Sequence, residues 1–148
     1  LVNIMELIII LLVIVFLIGT IGLAVPSKSS REISHLRMEA LKLGLKITPS
    51  SFGNLSFKNK DLSLISYQVR NSTNLRDAHF IRDKDDLILY SPLKLKYSDG
   101  FNEINNKLRN LPSCLHEIVF SRSSVAFLWN EKAGIEELRK ILSVINIF

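Results

Sequence analysis

The sequence predicts an α+β fold, in which an N-terminal transmembrane helix precedes a small antiparallel sheet with helices packed on one face. Three observations lead to this prediction. Residues 7–25 form one uncharged apolar run. Short stretches of alternating apolar and polar residues follow, several of them separated by turn-forming residues. Apolar residues at intervals of three and four, typical of amphipathic helices, occur before, between and after those stretches.

The apolar run is long enough for a membrane anchor. It contains no Asp, Glu, Lys, Arg, Asn or Gln, and as a helix it extends about 28 Å, close to the thickness of the hydrocarbon core of a bilayer. A secretory signal peptide is the alternative, but a basic residue would precede its shorter run, and small residues would mark a cleavage site. Here no Lys or Arg precedes the run, and Ala24-Val25-Pro26-Ser27 matches a cleavage site poorly. We therefore expect residues 1–26 to form an anchor and residues 27–148 to form one domain.

Charges on the two sides of the run predict its orientation. Only Glu6 lies upstream, whereas five basic residues follow closely: Lys28, Arg31, Arg37, Lys42 and Lys46. Lys and Arg beside a membrane span stay on the cytoplasmic side. We therefore expect the N-terminus outside, the C-terminal domain in the cytoplasm, and these five residues at the membrane surface. Met5 stands directly before the run and is an alternative start of the chain.

The segment after the anchor is predicted to form a helix, a glycine stop and a strand. In residues 31–43 the apolar side chains follow helical spacing, and Ser29 or Ser30 is a suitable N-cap. Gly44 stands where a helix C-cap belongs, and residues 45–48 begin an extended segment.

Two placements of this juxtamembrane helix agree with its pattern. In the first, its apolar stripe packs on the sheet. In the second, Leu41 and Leu43 lie on the membrane surface together with the neighbouring basic residues Arg37, Lys42 and Lys46.

The middle of the chain predicts strands. Residues 49–60 are rich in Ser, Asn and Gly and indicate a loop. Residues 61–70 indicate a strand with a bulge, because the apolar alternation slips between Leu64 and Tyr67. The segment 93–97 alternates apolar and basic residues and predicts a short strand with one solvated basic face, formed by Lys94 and Lys96.

A hairpin is predicted between these strands. Residues 79–82 and 86–90 are apolar-rich and flank a polar turn at Asp83-Lys84-Asp85. The acidic residues of this turn, Asp83, Asp85 and Asp86, lack the series of oxygen ligands and the glycine of a calcium loop, so we expect a turn and no metal site.

The last third predicts a helix, two strands and a helix. Ser98 or Asp99 caps the first helix, which ends before Pro112. Residues 115–120 and 125–129 predict strands, and the final helix begins near Asn130.

Composition and motifs argue against several function classes. The net charge of +5 comes from scattered residues of both signs, without the stripe of basic and aromatic residues typical of nucleic-acid binding. His35, His79 and His116 lie in separate elements without the spacing of a zinc site, and no phosphate-binding or hydrolase motif occurs. We therefore expect no nucleic acid, metal or cofactor.

One pair of residues provides an enzymatic alternative. If Cys114 and His116 lie on one strand, their side chains share a face, which would place a base beside a nucleophile. A lone cysteine is more often a small apolar core residue. The expectation is therefore no catalytic residue, with a membrane-surface enzyme using Cys114 as the alternative.

Two sites for partner binding follow from the pattern. Phe127 and Trp129 share one face of a strand, and if that face is exposed they form an aromatic pair of the kind that anchors interfaces. If that face instead lies under the helices, they belong to the core, and the interface is expected at Lys94 and Lys96. The core placement is the one we favour.

Two stretches of the chain resemble a family of small, uncharacterised single-pass inner-membrane proteins of Gram-negative bacteria. They comprise Pro26-Ser27 with residues 36–45 (LRMEALKLGL), and Leu111-Pro112-Ser113 with residues 125–131 (VAFLWNE) and Leu138. The resemblance implies an inner-membrane anchor with a periplasmic N-terminus and a cytoplasmic domain. Some members are labelled as similar to YajC, the accessory subunit of the Sec preprotein translocase. YajC carries an Asp and paired glycines where this chain has Leu45 and Ser50-Ser51.

These observations predict a non-enzymatic, membrane-tethered interaction domain, an accessory or assembly subunit of an inner-membrane complex. Its expected partners are the lipid bilayer and a membrane protein. The resemblance to YajC implies the alternative of an accessory subunit of the Sec translocon.

Overall fold

The computed structural model describes residues 3–49 and 57–148 and contains the elements of an α+β fold, as predicted. Most of the loop predicted over residues 49–60 lies outside the described residues. The described helices are α1 (Ile4–Ala24), α2 (Lys28–Lys42), α3 (Phe101–Leu108) and α4 (Ile135–Ile145), with two 3₁₀ helices at Leu93–Tyr97 and Glu131–Ala133. The described strands are β1 (Lys46–Pro49), β2 (Ile65–Arg70), β3 (Ala78–Asp83), β4 (Asp86–Ser91), β5 (Leu115–Phe120) and β6 (Ser124–Trp129).

Helix α1 has the properties of a membrane span. It has 21 residues, its mean hydropathy is 3.2, and none of its residues is buried. By length and composition it can cross a bilayer. The chain divides into two compact units, Leu1–Glu32 and Ile33–Phe148, and the boundary falls inside α2.

The ends of α2 are set by Ser27 and Gly44. The N–H of Ser30 donates to Oγ of Ser27 at 3.2 Å, so the N-cap is Ser27 rather than Ser29 or Ser30. Gly44 has a φ of +81°, its N–H donates to the carbonyl of Leu41, and the N–H of Leu45 donates to that of Ala40. These two bonds form a Schellman cap, which confirms the predicted glycine stop.

The described strands form one antiparallel sheet of six in the order β1-β2-β6-β5-β3-β4. The predicted hairpin is present, and Lys84 at its turn has a φ of +56°. The predicted bulge in β2 is wrong, because β2 pairs with β6 in continuous register from Ile65. Leu64 precedes the strand and belongs to a cluster on the opposite face from Tyr67, which explains the slip in alternation.

Both faces of the sheet centre are buried. On one face α2, α3 and α4 cover a core that includes Tyr67, Phe80, Phe120 and Trp129. On the other face Phe57 and Leu64, with their partners Ala126 and Leu128, form a smaller apolar cluster. All six residues of β6 are therefore buried.

Three predictions for the second half of the chain need correction, one about the type of an element and two about where a helix begins. Residues 93–97 form a 3₁₀ helix, in which the N–H of Leu95 donates to the carbonyl of Pro92 at 3.0 Å. The alternation over five residues does not specify a strand, because β4 pairs only with β3 among the described strands and the chain turns here toward α3. Gly100, not Ser98 or Asp99, is the N-cap residue of α3. A 3₁₀ turn after Asn130 delays the start of α4 to Ile135.

Candidate functional site

The structure decides between the two predicted locations of the aromatic pair. Phe127 and Trp129 are both fully buried, on the face covered by the helices. Tyr67 packs against both rings, with a centroid distance of 5.3 Å to Trp129. The alternative of an exposed aromatic pair is therefore wrong, and the predicted core placement of Phe127 and Trp129 is confirmed. The physical reason is that the large residues of β6 face the helices, whereas the smaller Ala126 faces the other side.

The other predicted partner-binding residues, Lys94 and Lys96, lie on the first 3₁₀ helix and not on a strand. Both are exposed. Because a 3₁₀ helix has about three residues per turn, residues two apart do not share a face. Lys96 lines a surface groove, which Lys94 does not line.

This groove, of about 300 Å³, combines apolar walls with charged side chains. We call it the β4 groove. Its walls come from β4, from Leu93 and Lys96 of the first 3₁₀ helix, and from Phe101 and Arg109 at the two ends of α3. Helix α3 is held in this position because its buried Leu108 and half-buried Ile104 belong to the main core.

The hairpin beside the groove is fixed by Arg82. Its guanidinium donates to the carbonyls of Leu115, Pro112 and Asp85 at 2.6, 2.9 and 2.7 Å. Burial lowers the pKa of Arg82, and the charge of nearby Asp86 opposes this effect. These bonds connect the β3–β4 turn to the start of β5 and to the segment before it.

Of the five basic residues expected at the membrane surface, Arg37 has a structural role. Its guanidinium makes two hydrogen bonds to the carboxylate of Glu131, at 2.8 and 2.7 Å. The same carboxylate accepts a 2.7 Å bond from the hydroxyl of Tyr67. The bond to Glu131 raises the pKa of Arg37, and burial raises the pKa of Tyr67. This Arg37–Tyr67–Glu131 cluster joins α2, β2 and the second 3₁₀ helix.

The remaining basic residues are exposed. Lys42 pairs with Glu39 on the surface of α2 at 2.9 Å, while Lys28, Arg31 and Lys46 make no ion pair within the described residues. Exposed pairs of this kind are weak, so Lys42 remains available to other anions.

A second buried carboxylate lies on the opposite face of the sheet. Glu117 accepts bonds from the backbone N–H groups of Lys58 and Asn59, at 2.8 and 3.0 Å, and from the ring of His79. Desolvation alone would raise the pKa of Glu117, but these hydrogen bonds outweigh it and lower the pKa. Glu117 therefore fastens the segment before β2 to the sheet.

Sequence reasoning identified neither buried carboxylate as important. A signal was present for Glu117, a charged residue inside the apolar strand sequence LHEIVF. Glu131 follows β6 and was indistinguishable from a solvated residue of a helix start. Its partners lie 64 and 94 residues earlier in the chain.

The proposed pairing of Cys114 and His116 on one strand is wrong. Strand β5 begins at Leu115, and its register with β6 shifts between Leu115 and Glu117, so His116 lies at an irregularity. Cys114 is half-buried, and this desolvation raises the pKa of its thiol. Both features disfavour a thiolate nucleophile.

Metal binding finds no support in the described parts of the chain, where no three His, Cys, Asp or Glu side chains are close enough to share an ion. His35 is exposed on α2, and His79 is bonded to Glu117. No family model, curated protein or solved structure matches this chain.

Proposed function

We propose that this protein is a non-enzymatic, membrane-tethered interaction domain that serves as an accessory or assembly subunit of an inner-membrane complex. The observation that carries the proposal is the combination of α1, apolar and without a buried residue, with a separate unit built around its own core. A helix of this composition is stable in a bilayer and not in water.

The short connection between α1 and α2 supports action close to the bilayer. Only residues 25–27 separate α1 from α2, and an extended chain of three residues spans about 10 Å. A domain connected in this way meets partners that are themselves in the membrane or at its surface.

The buried polar groups support a binding role over a catalytic one. Within the described residues the buried carboxylates are Glu131 and Glu117, and both are engaged by donors that hold separate elements together. A catalytic acid or base needs a free lone pair or proton facing a substrate. In these two clusters the hydrogen-bonding capacity is used for structure.

Helix α2 contributes an exposed apolar surface to the domain. Its core side is Leu36 and Ala40, whereas Met38 and Leu41 are 58% and 59% exposed on the other side. Exposed apolar side chains close to basic residues are typical of contacts with a membrane protein or with the headgroup region. We propose the cytoplasmic side of the inner membrane for this surface, because four basic residues follow α1: Lys28, Arg31, Lys42 and Lys46.

The test is site-specific photo-crosslinking of the full chain in living cells. A photoreactive amino acid is placed at Met38, at Lys96 or, as a control, at the exposed loop residue Ser72. We expect discrete crosslinks to one or a few membrane proteins from Met38 or Lys96, and none from Ser72. Crosslinks to lipid alone from all three positions would contradict an interaction domain.

Identification of the crosslinked protein also tests the alternative. Capture of a Sec translocon subunit would select the YajC-like function, and capture of another membrane complex would exclude it.

A further inference from the structure

We propose that the free edge of β4 binds an extended acidic segment of a protein partner as an added strand, with carboxylates of that segment at Lys96 and Arg109. This inference rests on the proposed function and specifies the partner segment that the domain recognises.

The two edges of the sheet differ in their protection. Strand β1 has four residues, begins with Lys46 and ends with Pro49, and short length, lysine and proline all discourage pairing with another strand. Strand β4 has six residues, DLILYS, with neither lysine nor proline. Its pairing with β3 is regular from Asp86 to Leu89, and the register shifts at Tyr90. Among the described strands it pairs only with β3. The regular, apolar part of this edge is a suitable surface for strand addition.

The hairpin geometry shows which backbone groups are free. Asp83 and Asp86 are the last pair of the hairpin, so a two-residue turn joins the strands. The closing pair of such a hairpin exchanges both hydrogen bonds, and bonded and non-bonded pairs then alternate. The N–H and C=O groups of Leu87 and Leu89 therefore point away from β3, toward the free edge.

The β4 groove runs along this edge. It reaches Leu87, Ile88 and Leu89, three consecutive residues. Consecutive side chains of a strand point to opposite faces of the sheet. A groove lined by all three residues therefore lies along the edge of the sheet and not on one face. A strand added here would place alternate side chains in the groove and the others beside Ile88 and Tyr90, which are about half exposed on the other face.

The charges of the groove favour carboxylates. Lys96 and Arg109 are exposed and make no ion pair in residues 3–49 and 57–148. Asp86 also lines the groove, so one negative and two positive side chains leave the lining with a net charge of +1. Asn105 adds an amide to the lining, which also includes Leu93 and Phe101. Acidic side chains on the groove side and apolar ones on the other side match this surface.

The probe is a fluorescent peptide of about nine alternating Val and Glu residues, long enough to cover β4, and the control peptide alternates Val and Lys. Binding to the full chain in lipid nanodiscs is measured by fluorescence anisotropy. We expect the Val-Glu peptide to bind and the Val-Lys peptide not to bind. Equal binding of both peptides, or binding of neither, would overturn the proposal.

Two double variants with the same change in net charge test the site. Lys96→Glu with Arg109→Glu should weaken binding by about tenfold or more, whereas Lys94→Glu with Lys132→Glu, both outside the groove, should change it by less than about twofold. All four residues are exposed, so the fold should tolerate each change. An equal loss of peptide affinity in both variants would show that the attraction is nonspecific and would overturn the proposed site.

Hydrogen exchange of individual amides, followed by NMR, tests the added strand directly. The peptide should slow exchange at Leu87 and Leu89 and leave the β1 amides unchanged. Concentration-dependent protection of these amides without peptide would mean that a second copy of the chain occupies the edge, against the proposal. If the peptide does not protect them while Met38 crosslinks to a membrane protein, this inference fails and the proposed function stands.

Discussion

The hydroxyl of Tyr67 donates a 2.7 Å hydrogen bond to the carboxylate of Glu131, which Arg37 also binds with two bonds. Glu131 is 6% exposed, so its charge is shielded from water. Buried carboxylates are stable only when donors compensate the lost hydration. The three residues thus hold α2 against the sheet at the place where β6 ends.

The first prediction concerns this cluster. Tyr67→Phe removes one charge-assisted hydrogen bond without a change in ring size and should lower the free energy of unfolding by about 1.5–3 kcal/mol. Urea unfolding of the full chain in detergent micelles, followed by Trp129 fluorescence, measures the change. Glu39→Gln breaks an exposed pair on the same helix and is the control, with an expected change below about 0.5 kcal/mol. Equal effects of the two variants would contradict the importance of burial.

Trp129 should be essential for stability. It is fully buried, and no hydrogen-bond partner reaches its Nε1 within the described residues. Trp129→Ala should cost about 3–5 kcal/mol because it leaves a large cavity. Trp129→Phe should cost clearly less, because it keeps an aromatic ring and removes an unpartnered N–H. Thermal melts by circular dichroism measure both, and an unchanged melting temperature of the Ala variant would contradict the core assignment.

Glu117 should make the domain sensitive to acid. Its folded-state pKa is lowered by the hydrogen bonds from His79, Asn59 and Lys58. The resulting stabilisation is complete above the unfolded-state pKa of a glutamate, about 4.3, and is lost as the pH falls through the lower folded-state pKa. Urea unfolding at several pH values should show this loss.

The matched variant for the acid prediction is Glu117→Gln. At neutral pH it should be less stable than the unmodified chain by about 1–3 kcal/mol, and this difference should shrink as the pH falls. A difference that stays constant down to pH 3 would show that the carboxylate charge has no role.

Topology is the fourth prediction. A reporter that is active only in the cytoplasm, fused after Phe148, should be active, and a reporter that requires the periplasm should be silent. Replacing Lys28 and Arg31 by Glu should weaken this preference. Arg37 is unsuitable for such a test, because its replacement would also break the bonds to Glu131. The opposite reporter pattern would overturn the proposed location of the domain.

Cys114→Ser tests the enzymatic alternative. The thiol is half-buried, and we expect a stability cost of at most about 1–2 kcal/mol with function in cells retained. Complementation of a deletion strain at equal protein abundance measures this. Loss of complementation with an intact fold would return Cys114 to consideration as a nucleophile.

Local signals determined which parts of the fold were predictable. The α2–Gly44–β1 unit, the β3–β4 hairpin and strands β5 and β6 each have their own caps, turns and periodicity, and all are present. The 93–97 segment was misassigned because an alternation of five residues does not reveal whether a neighbouring strand exists. The candidate surface was only partly predictable, since Lys96 lies in the groove and Lys94 lies outside it.

The buried polar clusters show a different limit. Arg37 has the sequence context of a membrane-surface residue, yet its partner is Glu131, 94 residues later. The periodicity of apolar residues shows which face of an element is apolar. It does not show which distant element supplies the residue of opposite charge. Such pairs follow only from the complete topology.

The burial of β6 on both faces affects how its alignment is specified. In a sheet with one solvent-exposed face, a register shift of one residue moves apolar side chains into water. The free-energy cost of this exposure fixes the register. Strand β6 has no solvent-exposed face, so a register shift would be opposed mainly by differences in side-chain size, such as that between Ala126 and Phe127. Backbone hydrogen bonds at the two ends of the β5–β6 hairpin add to this specification. At one end the N–H of Ser121 donates to the carbonyl of Ser124 at 2.8 Å. At the other end the N–H of Asn130 donates to the carbonyl of Cys114 at 3.0 Å.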